Sequence, residues 1–238
     1  MYFAIIGDII ASKTISNRSE VQNHLKRILD QVNEEYKSNI ASRFSITLGD
    51  EFQGLLHRAA HLFELLDTIQ FQLYPTKIRF GIGVGDMNTE IIQETSMGSD
   101  GPAYWSARNA IEKIHEKNDY GNAKVCLQKY SASIEEEVLL DAANKTLKLC
   151  DRYANSWTKS QYEFVRRIIL TYRYGDNGEY NQRELAQELD ISPQLVNSKV
   201  KNTGISVYVN TKCGLENVFK EKWGSYQVKN SSVFMVLC

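Results

Sequence analysis

The sequence has few of the features that mark membrane, secreted or zinc-binding proteins. Its 238 residues include four cysteines that are widely scattered and form no Cys-x-x-Cys pair, which argues against a zinc site or a disulfide framework. No apolar run approaches the roughly 20 residues that a membrane-spanning helix requires. The segment from Met1 to Asp8 lacks the basic region of a signal peptide and reaches a charged residue early. We therefore expect a cytoplasmic protein without a membrane anchor.

Charge divides the chain modestly into two parts. Residues 1–156 hold 17 Lys and Arg against 21 Asp and Glu, a net charge of −4, whereas residues 157–238 hold 11 against 8, a net charge of +3. The second part is therefore mildly basic, which gives weak support to a contact with nucleic acid. The sequence shows no internal repeat and no low-complexity segment.

Two short acidic segments, 5–10 and 47–52, each place a carboxylate at the end of an apolar run. Asp8 is the one charge in an apolar stretch typical of a buried central strand, and Asp50 lies at the tip of a predicted β-hairpin. A strand end and a hairpin tip can meet in one sheet, where two carboxylates could hold Mg²⁺ or Mn²⁺ together with nucleotide phosphates. Alternatively, Asp8 caps the next helix and Asp50 is an ordinary turn residue.

The remaining pattern of the first part alternates strands with amphipathic helices. Helices are predicted at 16–40, 59–74, 102–117 and 133–153, and strands at 2–11, 44–48, 52–56, 77–84 and 125–127. The alternating Gly81, Gly83 and Gly85 indicate that another segment passes close to the predicted strand at 77–84. This order predicts an α+β fold, an α/β sandwich with a mixed sheet, over residues 1–155.

Residues 156–238 are predicted to form a small all-helical domain. A helix at 157–174 is followed by short helices at 181–189 and 193–202, and Asp190 to Pro193 provides a turn, an N-cap and a proline at the first helical position. This spacing is typical of a helix-turn-helix. The outward residues of its second helix would contact bases or phosphates of DNA: Gln194, Asn197, Ser198 and Lys201. The alternative is a protein-binding or purely structural helix pair.

The motifs of the first part resemble the palm domain of class III nucleotidyl cyclases and, more distantly, of GGDEF diguanylate cyclases. The resemblance rests on Asp8, on 48–52 (Leu-Gly-Asp-Glu-Phe), on the glycine strand 78–85 and on 101–108. It implies a ferredoxin-like palm fold in which Asp8 and Asp50 bind two metal ions on a nucleoside triphosphate. It further implies that the backbone of Ile9 and Ile10 and the turn at Gly49 lie beside the phosphates, and that Arg108 stabilises the transition state.

Departures from that pattern accompany the matches. Tyr104 stands where the cyclases carry an asparagine that orients the ribose. Its side chain has one hydroxyl in place of the separate hydrogen-bond donor and acceptor of a carboxamide. Ile46 stands where adenylyl cyclases carry a lysine that reads the base. The metal ligands are therefore present, while base recognition and part of the catalytic apparatus are not.

The whole chain, a cyclase-like domain followed by a winged-helix-like helix-turn-helix domain, resembles the SatD family of bacterial proteins. This leads to the hypothesis of a Mg²⁺-dependent nucleotide-binding protein, with nucleotidyl cyclase or phosphohydrolase activity left open, coupled to DNA binding. The alternative is a nucleotide-sensing transcription regulator without turnover. Cyclase-like sites often form between subunits, so a homodimer is expected.

Overall fold

The computed structural model describes residues 1–117 and 119–224. Within them, a mixed sheet of five strands is combined with eight α-helices. The strands are β1 (Tyr2–Ile9), β2 (Ile40–Leu48), β3 (Glu51–Leu56), β4 (Ile78–Gly85) and β5 (Val125–Lys129). The helices are α1 (Arg18–Glu35), α2 (Leu62–Gln72), α3 (Pro102–Glu116), α4 (Ile134–Asn155), α5 (Lys159–Tyr172), α6 (Gln182–Leu189), α7 (Pro193–Thr203) and α8 (Ile205–Trp223).

The sheet has the order β2-β3-β1-β4-β5, with β1 antiparallel to both of its neighbours and β5 parallel to β4. β1 is almost entirely apolar because both of its faces are buried. Phe3 and Ile5 pack with residues of α1 and α2, whereas Ala4 and Ile6 pack with α3. The expectation of an α+β fold with a mixed sheet, followed by a helical region, is confirmed.

The alternating glycines of β4 explain how closely α3 approaches the sheet. A Cβ atom on Gly83 would lie 1.9 Å from the carbonyl oxygen of Ala103, and one on Gly81 would lie 2.3 Å from that of Ala107. Side chains at these positions would therefore push α3 outward. The segment that was expected to pass close to the glycines is therefore α3.

The helical region shares one continuous apolar core with the sheet region. Residues of α5 and α8 belong to the same buried cluster as β1, α1 and α2. The rings of Phe3 and Trp223 lie 6.4 Å apart, and Arg166 Nε donates to the Phe71 carbonyl oxygen at 2.8 Å. The predicted boundary after residue 155 coincides with the end of α4, and the division into two domains stays a prediction.

Several element bounds differ from the sequence-based expectation. α1 ends at Glu35, five residues before the predicted end, because Ile40 begins β2 and is buried in the sheet. α8 was not predicted at all, and it occupies 205–223, where a winged-helix domain would continue with β-strands. The rest of the predicted second domain, residues 225–238, lies outside the described residues. No helix of the described ranges is long and apolar enough to cross a membrane.

Candidate functional site

Asp8 lies near the end of β1, where three charged residues stand side by side across the sheet. Its register partners are Glu51 on β3 and Arg79 on β4. Strand alternation turns Asp8 toward α3, on the same side as Ala4 and Ile6. Its Oδ2 atom lies 3.0 Å from Arg79 Nη1 and 3.1 Å from His115 Nε2. The carboxylate that was predicted from the sequence to bind metal therefore contacts two basic groups.

Glu51 forms the neighbouring ion pair. Arg108 Nη2 donates to Glu51 Oε1 at 2.7 Å, and Arg108 Nη1 donates to Oε2, so the guanidinium binds both carboxylate oxygens. Thr47 donates to the same carboxylate at 3.2 Å. The hydrogen bond to Glu51 raises the pKa of Arg108 above its ordinary value, although partial burial opposes the shift. Arg108 is thus near Asp8, as the motif order suggested, but its guanidinium is held by Glu51.

Asp50 occupies the β2–β3 turn, and its backbone lies next to that of β1. The Ile9 N–H donates to the Asp50 carbonyl oxygen at 3.0 Å, while the Asp50 carboxylate accepts a hydrogen bond from Ser12 Oγ. Asp8 and Asp50 are therefore adjacent in backbone, but their carboxylates contact different partners. Gly49 precedes Asp50 in the turn with a φ of 28°.

The backbone groups that were expected to bind phosphate donate within the protein instead. Ile9 N–H is used by Asp50, and Ile10 N–H donates to the Lys77 carbonyl oxygen at 2.8 Å. The basic groups at this end of the sheet are therefore the side chains of Arg79, Arg108 and His115 and not the backbone N–H groups.

Tyr104 lies inside the layer between α3 and the sheet. Its side chain is only 6% exposed and belongs to the cluster formed with Ala4 and Leu55. Burial raises the pKa of its hydroxyl well above the ordinary value, and the hydroxyl has no hydrogen-bond partner among the described residues. Tyr104 is therefore a core residue on the inner face of α3.

Three carboxylates at this end of the sheet have the chemistry of metal ligands. Carboxylate oxygens are the ligands that Mg²⁺ prefers, so Asp8, Asp50 and Glu51 are chemically suitable. Across residues 1–117 and 119–224, however, no group of three or more His, Cys, Asp or Glu side chains could hold a metal ion. A metal ion here would need oxygen ligands from a bound nucleotide and water, an arrangement that is common for Mg²⁺.

The second candidate surface is formed by α6 and α7. Asn181 caps α6 through hydrogen bonds from the backbone of Arg183 and Glu184, and the Ser192 hydroxyl accepts from Leu195 N–H at the start of α7. Between the helices, Asp190 has left-handed backbone geometry. The local signals in the sequence thus produce two helices joined by a short turn.

The two faces of α7 differ in burial. Val196 is fully buried, while the four residues that the sequence assigned to DNA contact are exposed: Gln194, Asn197, Ser198 and Lys201. Lys199 lies over the ring of Phe164, with its Nζ 5.5 Å from the ring centroid. One side of α7 therefore packs on the protein and the other presents polar groups to solvent.

A protein-family model described as the SatD family matches residues 2–219, which include the sheet, the ion pairs around Asp8 and Glu51, helices α1 to α7 and most of α8. The chain belongs to the SatD family. No curated protein matches it. The match extends across both candidate surfaces of this SatD-family chain, so both are part of the unit that the family shares.

Sequence reasoning missed two members of the charged cluster of this SatD-family protein, Arg79 and His115. Arg79 is the one charged residue within β4, and His115 follows Arg108 by seven residues, which places both on the same face of α3. Both signals were present in the sequence. The contact of Arg79 with Asp8 could not be predicted without the pairing of β4 with β1, which brings together residues 71 positions apart.

Proposed function

We propose that this SatD-family protein is a nucleotide-responsive DNA-binding protein of the cytoplasm that acts as a homodimer. In this proposal, α6 and α7 form a helix-turn-helix whose second helix contacts DNA. The observation that carries it is the two-sided character of α7, with Val196 buried and Asn197 and Lys201 exposed. A polar exposed face on a helix that follows another helix after a three-residue turn supports this role, because recognition helices contact DNA in such an arrangement.

The nucleotide part of the proposal rests on the end of the sheet. The order β1-α1-β2-β3-α2-β4 and the sheet order β2-β3-β1-β4 support the ferredoxin-like palm fold that the cyclase resemblance implies. Arg79, Arg108 and His115 surround Asp8 and Glu51, so three basic groups face two acidic ones. Nucleotide phosphates would bind these basic side chains.

A metal ion would enter this site with the nucleotide. Asp8 and Asp50 would supply carboxylate oxygens, and the bound ion would neutralise charge on the phosphates. Arg79 and His115 would then move from Asp8 to the phosphates, because the ion and the basic groups compete for the same oxygen. We therefore expect Mg²⁺ and nucleotide to bind together.

Between sensing and turnover, the side-chain arrangement favours sensing. Tyr104 is buried and is thus kept from the ribose position that the resemblance assigns to it. Arg108 is engaged by both oxygens of Glu51 and would have to exchange this partner to reach a phosphate. Turnover, as a nucleotidyl cyclase or phosphohydrolase, remains a second candidate because the Ile9 to Asp50 hydrogen bond holds the two acidic segments together.

The nucleotide site is tested by thermal denaturation with ATP, GTP, CTP and UTP, each with and without Mg²⁺. Ligand binding to the native state raises the melting temperature. We expect a Mg²⁺-dependent rise for at least one nucleotide, lost in Asp8→Asn and kept in Asp86→Asn, a matched exposed loop carboxylate. Chromatography of the incubated nucleotide separates sensing from turnover. A rise of equal size in Asp8→Asn would reject the site.

The DNA surface is tested by selecting bound sequences from a random duplex pool. Lys201→Ala should weaken binding to all sequences and reduce the salt dependence, whereas Asn197→Ala should relax sequence preference. Lys145→Ala, on the exposed side of α4, serves as the control. The absence of duplex binding at low salt would reject the helix-turn-helix role. Light scattering during size-exclusion chromatography tests the homodimer.

A further inference from the structure

A cavity of about 330 Å³ lies between the sheet region and the helical region. We call it the interface cavity. It is enclosed by parts of α2, β4, β5, α4, α5 and α8, and its walls include Phe71, Tyr74, Lys77, Trp157, Lys159 and Tyr162. It is separate from the ion pairs that Asp8 and Glu51 form and from the exposed face of α7. Its volume is at the lower end of the roughly 300–1,000 Å³ that is typical of small-molecule sites.

One wall of the interface cavity is formed by aromatic rings. The rings of Tyr74 and Tyr162 lie 4.4 Å apart, those of Phe71 and Tyr162 lie 5.2 Å apart, and Trp157 stacks on Phe71 at 6.5 Å with an interplanar angle of 27°. Aromatic rings prefer offset-stacked or edge-to-face partners at such distances. A flat ring is therefore the ligand shape that this wall fits best.

The cavity lining contains more basic than acidic residues. The lining holds four lysines and two aspartates: Lys77, Lys124, Lys159, Lys212, Asp67 and Asp151. Lys212 is paired with Asp67 at 2.7 Å, and Asp151 accepts from the backbone N–H groups of Lys124 and Val125 at 2.7 and 3.2 Å.

Lys124 Nζ donates to Asn155 Oδ1 in the wall of the same cavity. Burial lowers the pKa of Lys124, and the nearby charge of Asp151 opposes that shift. The side-chain ammonium groups of Lys77 and Lys159 form no hydrogen bond or ion pair with any residue in 1–117 or 119–224, and both residues are exposed at the rim. The rim thus offers two lysines to an anionic group of a ligand.

We propose that the interface cavity binds a small aromatic carboxylate, with its ring against Phe71, Tyr74, Trp157 and Tyr162 and its carboxylate beside Lys77 and Lys159. The small volume favours a compound of one or two rings over a nucleoside triphosphate. The lysines provide charge-assisted hydrogen bonds to the carboxylate. The aromatic wall supplies contact area and ring stacking.

The cavity wall is connected directly to the end of α7. Trp157 Nε1 donates to the Thr203 carbonyl oxygen at 2.9 Å, and Gln161 Nε2 donates to that of Asn202 at 3.1 Å. A ligand that contacts Trp157 therefore acts one hydrogen bond away from the helix proposed to contact DNA. We expect such a ligand to change DNA affinity, and this consequence alone rests on the proposed function.

Isothermal titration calorimetry of the full chain tests the binding itself without DNA. The probes are benzoate and indole-3-carboxylate, with indole-3-carboxamide as the uncharged match and cyclohexanecarboxylate as the non-aromatic match. We expect one-to-one binding of at least one aromatic acid and about tenfold weaker binding of both matched compounds. No binding of either aromatic acid at millimolar concentration would overturn the assignment. Equal affinity for the carboxamide or for cyclohexanecarboxylate would also overturn it.

Substitutions at the rim locate the binding. Lys77→Gln and Lys159→Gln change exposed side chains, so both variants should fold, and the double variant should lose about tenfold in affinity or more. Lys220→Gln, at an exposed position of α8 outside the cavity, should bind as the wild type does. Unchanged affinity in the double variant would overturn the assignment. A protein that binds the acid but not DNA would reject the proposed function and leave the cavity site intact.

Discussion

Lys212 on α8 and Asp67 on α2 form an ion pair in the protein interior, with Lys212 Nζ 2.7 Å from Asp67 Oδ1. Their side chains are 3% and 8% exposed. The hydroxyls of Tyr174 and Tyr208 donate to the same aspartate at 2.6 and 3.1 Å. A buried carboxylate is tolerated because it is paired and fully hydrogen-bonded. The pair therefore ties the helical region to the sheet region.

Removal of one partner of this pair should destabilise the protein strongly. Lys212→Met leaves the Asp67 charge buried without its cation, which typically costs about 3–5 kcal/mol. Urea denaturation measures the free energy of unfolding. Lys220→Met, on an exposed position of the same helix, should change it by no more than about 0.5 kcal/mol. Similar stabilities for the two variants would show that the ion pair contributes little.

A methyl group on the β4 glycine nearest to α3 should also be costly. In Gly83→Ala the new Cβ would meet backbone atoms of Ala103 and Ala107 at 1.9 and 2.3 Å, so α3 must move. Overpacking of this kind costs roughly 1–3 kcal/mol. Gly214→Ala is the matched control, because nothing lies within 4 Å of its added Cβ and alanine favours a helix. A neutral Gly83→Ala variant would contradict the close approach of α3.

Stability should depend on pH through Glu216. Burial, the largest cause, raises the pKa of Glu216 from its ordinary 4.5 to about 8, although its carboxylate accepts the Phe63 N–H at 2.7 Å. Between these values the folded state holds a proton that the unfolded state has lost. The free energy of unfolding should therefore fall as pH rises through this window, by about 1.4 kcal/mol for each unit of pKa difference.

Denaturation of wild type and Glu216→Gln between about pH 6 and pH 8 measures this contribution. Glutamine keeps an acceptor for Phe63 N–H but cannot ionise, so the variant should lose most of the slope. Asp151, whose pKa burial raises to about 6, acts in the same direction mainly below this window. Equal slopes for the two proteins would show that Glu216 ionises normally in the folded state.

Nucleotide affinity should be insensitive to the Tyr104 hydroxyl. Because the ring lies in the layer between α3 and the sheet, Tyr104→Phe removes a group that a nucleotide at Asp8 does not contact. Calorimetric affinity for the nucleotide that gives the largest thermal shift should stay within about twofold of wild type. This expectation rests on the proposed nucleotide site. A loss of about tenfold or more would indicate that Tyr104 turns outward and contacts the ligand.

Much of the fold could be predicted because its signals are local. Ser133 and Glu136 form a capping box at the start of α4, and the adjacent residues Ser192 and Pro193 begin α7. The alternation of glycines in β4 likewise indicated a close neighbour. Such patterns work because capping and turn formation involve residues that are near in sequence.

α8 escaped prediction for a physical reason. It begins directly after Gly204, contains Gly214, and carries a lysine at position 212 in the middle of its buried face. A lysine on the inner face interrupts the apolar pattern by which a buried helix is predicted. The helix can be predicted only when the buried acidic partner of that lysine on another helix is known. That partner, Asp67, lies 145 residues away.

The amino-acid sequence by itself determined the α+β class, the hairpin that presents Asp50 and the two capped helices α6 and α7. Only the tertiary structure decided that Asp8 meets Arg79 and His115, and that aromatic residues within and next to α2 and α5 form one wall of a cavity. The first set depends on periodicity and capping within a few residues. The second depends on strand register and helix packing. These bring together residues that are far apart in the chain, so no short segment predicts them.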